Sequence, residues 1–395
     1  MLIVFFLVSS TMVTRILFFL VFSALRTISG LTYEVVEFGA KPDGVSDSTA
    51  AFLSAWRSAC NSNTDTATLH VPKGNFLLRT IAFEGPCTAK TILFSIDGTL
   101  LAPLDYRDTA ATGYWLYFHH VNGITISGGT LDGRGSSLWA CKNGSGSCPT
   151  GARTLWFVSC QNVAINGVTS INSQTYHFSI SGTRNAFVSG VTAIAPSKSQ
   201  NTDGIHVQSS SFVTIEASKF ATGDDCVSIG PGTTNAWIEN IACGPGHGIS
   251  IGSLGQKAVE AGVENVTVKS VTMTNTLNGL RIKTWGKQSS GFARDIVFQQ
   301  ARLENVGNPI LIDQSYCQTS SKCPIRDSGV KISNVLYSDI IGSSATEVGV
   351  KLQCSRTNPC SGIMMKNIDL TYKNGRASSS CSNVQGFNSL CISSN

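Results

Sequence analysis

One short pattern returns through most of this chain, and it restricts the fold more than any other feature. The pattern is a polar or small residue, two apolar residues one position apart, then a polar residue or glycine, then often another apolar residue. It reads Gly123-Ile-Thr-Ile-Ser-Gly, Asn162-Val-Ala-Ile-Asn-Gly-Val, Asn185-Ala-Phe-Val-Ser-Gly-Val and Phe212-Val-Thr-Ile-Glu-Ala. It goes on as Asn235-Ala-Trp-Ile-Glu-Asn-Ile, Asn265-Val-Thr-Val-Lys-Ser-Val, Asp295-Ile-Val-Phe, Gly329-Val-Lys-Ile-Ser-Asn-Val and Gly362-Ile-Met-Met-Lys-Asn-Ile. The returns come roughly every 23 to 35 residues, a solenoid period. Alternating apolar residues in short segments mean half-buried strands, and Gly and Asn between them mean turns. One such segment cannot bury its apolar face alone, so neighbouring repeats must stack. The expected fold is all-β: a single-domain parallel β-helix with a short N-terminal capping helix. A propeller needs longer blades, near 40 to 45 residues. The strands are not separated by ordinary amphipathic helices, which argues against a βαβ fold.

A solenoid end needs a cap. The segment Asp47-Ser48-Thr49-Ala-Ala-Phe52-Leu53-Ser-Ala-Trp56 supplies one. Asp47 or Ser48 caps the first turn, and Ala51, Phe52, Ala55 and Trp56 share a helical face that covers the first rung.

The extreme N-terminus is different. Two apolar runs, Leu2–Val8 and Ile16–Leu25, flank Arg15, and each is too short to span a bilayer. Residues 1–30 are expected to be a secretory signal peptide, with Met12 as an alternative start, and residues 31–395 the mature domain. Thirteen cysteines suit an oxidising compartment. Close spacing makes Cys141/Cys148, Cys226/Cys243, Cys317/Cys323, Cys354/Cys360 and Cys381/Cys391 disulfide candidates, with Cys60/Cys87 a looser one and Cys160 left over. Asn143 and Asn265 head glycosylation sequons. Charged residues are 13% of the chain, below the usual quarter, and the +5 balance only weakly favours an acidic partner. No CxxC pair occurs and the six His are scattered, so no metal site is expected.

Three motifs fall about one repeat apart: Asn201-Thr202-Asp203-Gly204, Gly223-Asp224-Asp225-Cys226 and Gly246-His247-Gly248. In a β-helix, one repeat is one step of roughly 4.8 Å up the stack. Asp203, Asp224, Asp225 and His247 therefore stack on one face. A fourth segment follows, in which Arg281 and Lys283 point to one side of a strand and Ile282 points inward. Alone, each motif is equally an ordinary turn or a solvated face; their order and repeat-matched spacing join them. Three carboxylates beside an imidazole and two cations suit hydrolysis of a glycosidic bond. One carboxyl must stay protonated for the leaving oxygen while another activates water, and neighbouring like charges raise one pKa above the others. The two cations suit a substrate carrying carboxylates. The glycines beside His247 leave room for a polymer to approach the backbone.

These residues resemble the polygalacturonases of glycoside hydrolase family 28, especially plant enzymes. The resemblance runs from Val36-Glu-Phe38-Gly39-Ala40-Lys-Pro-Asp43-Gly44 to the last cysteines, and all four signature motifs are intact. It implies an inverting hydrolase, built on an all-β, single-domain, right-handed parallel β-helix, that needs no metal or other cofactor. Asp224 would be the general acid, Asp203 and Asp225 would hold and activate water, and His247 would tune the acid. Asn201, Arg281, Lys283 and Tyr316 would contact galacturonate. Cys226 and Cys243 would form a disulfide framing the catalytic rungs. Gln200, where proline is common in the family, is the one departure. The implied substrate is polygalacturonate or pectin, met outside the cell, in the wall. The protein is expected to be a monomer without nucleic-acid or, once the leader is cleaved, membrane partners. The segment from Gly128 to Lys142 resembles the endo-acting plant group; exo attack, a calcium-dependent pectate lyase and a non-catalytic wall-binding protein are the alternatives.

Overall fold

The computed structural model describes residues 30–144, 147–317 and 327–386. The expected signal peptide therefore lies outside the described residues, apart from Gly30, as do Cys323 and Cys391. Among the described residues, no helix is long and apolar enough to cross a membrane.

The chain coils into a parallel β-helix. Each repeat contributes a strand to an eleven-stranded sheet and to a second, larger sheet. The larger sheet forms two faces of the coil in the early rungs. Ser211–Ala221 bends across both, pairing with Arg184–Ser189 on one and with Thr192–Ile194 on the other. Pairing is parallel throughout, except where Thr371 and Tyr372 meet Gly375 and Arg376.

The eleven-stranded sheet carries the site. Its relevant strands are β1 (Tyr114–His119), β2 (Arg153–Val158), β3 (Phe178–Ser181), β4 (Ile205–Gln208), β5 (Val227–Ile229), β6 (Ile249–Leu254), β7 (Asn278–Trp285) and β8 (Asn308–Tyr316). Their inward residues form two unbroken apolar columns. Ile205, Val227, Ile249, Leu280 and Ile310 make one; Val207, Ile229, Ile251, Ile282 and Ile312 make the other. All are fully buried. Burying each is worth roughly 1.5–3 kcal/mol, so shifting one strand by a residue would expose its share of the core and is strongly disfavoured.

The cap helix, α1 (Thr49–Cys60), lies over the first rungs as expected. Phe52, Ala55 and Trp56 are buried. The Trp56 ring meets Phe83 at 5.2 Å and Phe118 at 5.7 Å, and its indole N–H donates to the Glu84 carbonyl at 3.1 Å. Asp47, just before the N-cap, accepts the Thr49 N–H at 3.0 Å, and the N-cap residue Ser48 makes no side-chain capping bond. Ser48 instead ties the helix start to Lys41.

Asparagines turn the corners in the left-handed backbone region and bond to asparagines one rung away. Asn162 donates to Asn122 at 2.8 Å and Asn185 to Asn162 at 2.6 Å. The sequon residue Asn265 belongs to such a pair, donating to Asn235 at 2.6 Å. Asn143 is exposed at the end of a short helix. Disulfides join Cys60–Cys87, Cys141–Cys148, Cys226–Cys243 and Cys354–Cys360, and Cys160 is a buried free thiol. Cys317 and Cys381 are also disulfide-bonded, but their expected partners fall outside the described residues.

Candidate active site

The strand register decides which side chains meet. Leu155, Phe178, Ile205, Val227 and Ile249 pair in succession up the sheet. Counting two residues back from each gives Arg153, Tyr176, Asp203, Asp225 and His247. Backbone bonds extend the pairing to this level: His177 donates to the Asp203 carbonyl at 2.9 Å, Gly204 to Asp225 at 2.9 Å and Cys226 to Gly248 at 2.8 Å. The three separate motifs thus become one column, and the spacing argument holds.

Asp225 is its anchor. Its side chain is 1% exposed. Arg281 donates to one carboxylate oxygen at 2.7 Å and Lys283 to the other at 2.7 Å. Ser250 adds a bond at 2.9 Å to the oxygen that Arg281 holds. Strand alternation on β7 produces this arrangement, with Ile282 fully buried between the two outward cations. The pairing is charge-balanced only with both cations counted, and removing one member of such a buried group costs roughly 3–5 kcal/mol.

Asp203 has no cationic partner at hydrogen-bond distance among the described residues. Its carboxylate accepts from Ser228 at 2.7 Å, and Ser228 in turn meets the His206 Nδ1 at 2.8 Å. Burial, then the charges of Asp224 and Asp225, push the Asp203 pKa well above the usual carboxylate range. Burial of the His206 ring pulls its pKa down to about 4, so that imidazole is neutral.

Asp224 lies higher in the cleft, with its side chain 18% exposed. His247 Nδ1 is 3.0 Å from one carboxylate oxygen, the Asp225 N–H donates to that same oxygen at 2.8 Å, and Asn201 donates to the other at 3.4 Å. Burial works to raise this carboxyl, but the His247 bond and charge, then Lys283, outweigh it and hold its pKa well below the ordinary value. Of the two, Asp203 is the carboxyl pushed toward its protonated form and Asp224 the one held toward its ionised form. These groups interact closely, so they titrate as a set.

The acids open into a cavity of about 580 Å³. Asp203, Asp224, Lys283 and Tyr316 line it, with Asn201 at the rim of the same space. The Lys283 ammonium lies 5.1 Å from the centre of the Tyr316 ring. Arg281 faces Asp225 and Ser250 and is buried. Every residue named as a site candidate from the sequence is therefore in one cluster, but Arg281 turns to an internal carboxylate.

One donor atom each from Asp224, Asp225 and His247 lie within 4.8 Å of one another, a spacing at which a cation can be held. Both oxygens of Asp225 are already bonded to cationic side chains, so a metal there would compete with two fixed positive charges. The glycines beside His247 serve the fold rather than a polymer. A Cβ on Gly248 would sit 2.2 Å from the Asn278 carbonyl oxygen, and its backbone has φ +83°, so the close approach is to the next rung.

Tyr176, His206, Ser228, Ser250 and Trp285 also belong to the site and were not foreseen. His206, Ser228, Ser250 and Arg281 occupy one register position on successive strands. Extending the outward side of Arg281 back through the repeats would have found the first three.

A family model described as "Glycosyl hydrolases family 28" matches residues 60–392. A polygalacturonase of Prunus persica is 57% identical over 359 residues, spanning 91% of each chain. An exopolygalacturonase of Platanus acerifolia is 42% identical, spanning 90% of this chain and 95% of its own. Among solved structures, a polygalacturonase from Erwinia carotovora ssp. carotovora superposes with a TM-score of 0.68 at 25% identity, covering 92% of this chain and 98% of that one. An endo-xylogalacturonan hydrolase from Aspergillus tubingensis shares the fold with a TM-score of 0.79 at 23% identity, over 92% of this chain and 98% of that one. With its four signature motifs gathered into one cluster of acids and cations, and with these relatives matching nearly its whole length, the chain belongs to family 28 of the glycosyl hydrolases.

Proposed function

We propose that the protein is a polygalacturonase, hydrolysing α-1,4 bonds between galacturonate units of pectin in the cell wall after secretion. The observation that carries this reading is the group of acids itself: a buried carboxyl with no cation at bonding distance among the described residues, a second carboxyl open to the cavity, and a fixed anion braced by two cations. Binding alone does not call for that arrangement.

In the proposed cycle a galacturonate enters beside Lys283 and Tyr316, with its carboxylate drawn to the ammonium. Its negative charge favours the neutral form of Asp224, and a proton passes from Asp203 to Asp224. Asp224 then protonates the leaving glycosidic oxygen. Asp203, now ionised, takes a proton from a water that attacks the anomeric carbon, with Asp225 fixing that water and Arg281 and Lys283 fixing Asp225. His247 holds Asp224 in place. The products are two shorter chains, with one water consumed.

Inversion at the anomeric carbon is the finer part of the proposal. Acid and base carboxyls of inverting glycosidases are usually about 6.5–9.5 Å apart. The product anomer, read by proton NMR in the first minutes of reaction, is a sharp test, and a retained anomer would replace the single displacement with a covalent route.

We propose endo attack because half-buried aromatic and cationic side chains continue along the sheet on both sides of the acids, Trp285 and Tyr316 on one and Arg153 and Trp156 on the other. The resemblance to an exopolygalacturonase favours exo attack instead. Purified protein on de-esterified polygalacturonate, with chelator present, distinguishes them. A fast fall in viscosity with few new reducing ends is expected. Reducing ends rising at nearly constant viscosity would mean exo attack. Activity only with calcium, giving an ultraviolet-absorbing unsaturated product, would mean elimination and sink the hydrolase reading.

A further inference from the structure

Arg153 stands in the same column as the acids, two rungs below Asp203 on the N-terminal side, roughly 10 Å away by the strand spacing. Its guanidinium carbon lies over Trp156, 4.1 Å from the ring centre, and 5.3 Å from the centre of Tyr176. Tyr176 stacks in turn on His206, at 4.6 Å and 26° between planes. Trp156, Arg153, Tyr176 and His206 thus form a continuous row of flat groups that ends at the Ser228–Asp203 bond.

The row contains one cation, and that cation lacks an anion. Among the described residues Arg153 makes no ion pair. Its one hydrogen bond is a long contact from an Nη to the Gly113 carbonyl, at 3.4 Å. Its Nε is buried with no acceptor in reach. Burial works against its charge, and the Tyr176 phenol offsets this only in part. Contrast Arg281, whose Nε and Nη are both taken by Ser250 and Asp225. The two Nη atoms of Arg153, held only by that long contact, match a carboxylate in a two-point fit. Aromatic rings on either side suit the flat faces of a sugar.

We propose that Arg153, braced by Trp156 and Tyr176, binds the carboxylate of a galacturonate unit on the N-terminal side of the cleavage point and so makes a free, un-esterified acid at that position a requirement for tight binding. This rests on the polygalacturonase reading. It adds a position at which the enzyme reads the methylation of its substrate, away from the acids that cut.

The test compares wild type with R153Q and R153K on oligogalacturonates of increasing length and on polygalacturonate at two degrees of methyl esterification. In wild type, KM should fall as the oligomer becomes long enough to reach Arg153. R153Q should lose most of that fall, raising KM for long chains by about tenfold, the size of one charge-assisted bond, with kcat changed less than KM. R153Q should also discriminate less between de-esterified and esterified chains. R153K, which keeps the charge without the fork, should fall between the two. The proposal is overturned if R153Q raises KM equally for all lengths, or if its preference for de-esterified chains matches wild type. If R153Q does not fold, as read by its unfolding midpoint, R153K decides: a wild-type length dependence and ester preference in that variant would refute the two-point fit. A wild-type protein that cleaves none of these substrates would instead sink the polygalacturonase reading.

Discussion

Two acid–imidazole clusters of this coil, each built from residues on successive rungs, differ in that one has the properties of an active site. Near the N-terminus His70 meets Glu34 at 2.7 Å and Asp97 at 3.2 Å, on the larger sheet. In the cleft His247 meets Asp224 at 3.0 Å beside Asp203 and Asp225. Residue types and rung geometry are alike. What differs is water. Glu34, His70 and Asp97 are all at least a quarter exposed, so solvent satisfies what the partners leave. In the cleft Asp225 is sealed, Asp203 has no cation at bonding distance among the described residues, and burial pushes its pKa well above the usual carboxylate range. The inventory alone does not make chemistry; the same groups become reactive when charge is buried out of balance.

The comparison is broken most severely at Asp225. Asp225→Asn leaves Arg281 and Lys283 buried without their shared anion. It should cost roughly 3–5 kcal/mol of stability by denaturant unfolding and abolish turnover. Asp97→Asn, at the exposed cluster, should cost less than about 1 kcal/mol. Equal losses would mean that burial is not what separates the two. Asp224→Asn should lower kcat by about 10²–10⁴-fold, the usual worth of a general acid, with the unfolding midpoint little changed. Near-normal turnover in that variant would remove Asp224 from its role.

A smaller effect sharpens the comparison through pH. The folded pKa of Asp203 is raised, so the fold favours its protonated form. That contribution is fully present below the unfolded carboxyl pKa and is lost as pH rises through the folded one. Stability measured from about pH 4 upward should therefore decline less in Asp203→Asn than in wild type, and an unchanged slope would contradict the burial of that acid. The smallest effect belongs to His70. Burial lowers its pKa, but bonds to Glu34 and Asp97 outweigh this and raise it. Its contribution is present below the ordinary imidazole pKa and lost as pH rises through the raised value. His70→Gln should flatten that loss by under about 1 kcal/mol, because the group is solvated.

Much of this was legible in the residues before any coordinates. The alternation in Arg281-Ile282-Lys283 says which side chains share a side, and the near-equal spacing of Asp203, Asp224 and His247 says that they share a face. Alternation does not say who the partner is. Nothing local in the sequence tells that Arg281 faces Asp225, since that contact spans 56 residues. Nor does it tell that Asp203 is the carboxyl pushed upward, because the cause is burial by neighbouring rungs. Tyr176 and His206 escaped notice because neither sits in a motif; they matter through the column that the register builds. The glycines beside His247 misled for a related reason, since in the chain they look like open space and in the coil the next rung fills it.

The register has a further consequence for how such a protein can change. Spacing between equivalent column positions is uneven, because extra residues are absorbed at the corners while strand pairing stays in step. The segment between Leu254 and Val263 is one such corner, and its Val259 and Glu260 line the cavity. Residues added or removed there would reshape the walls around a bound chain while the acids kept their places. Catalysis and substrate length are thereby separable traits in this coil, one written in the strands and the other in the bends.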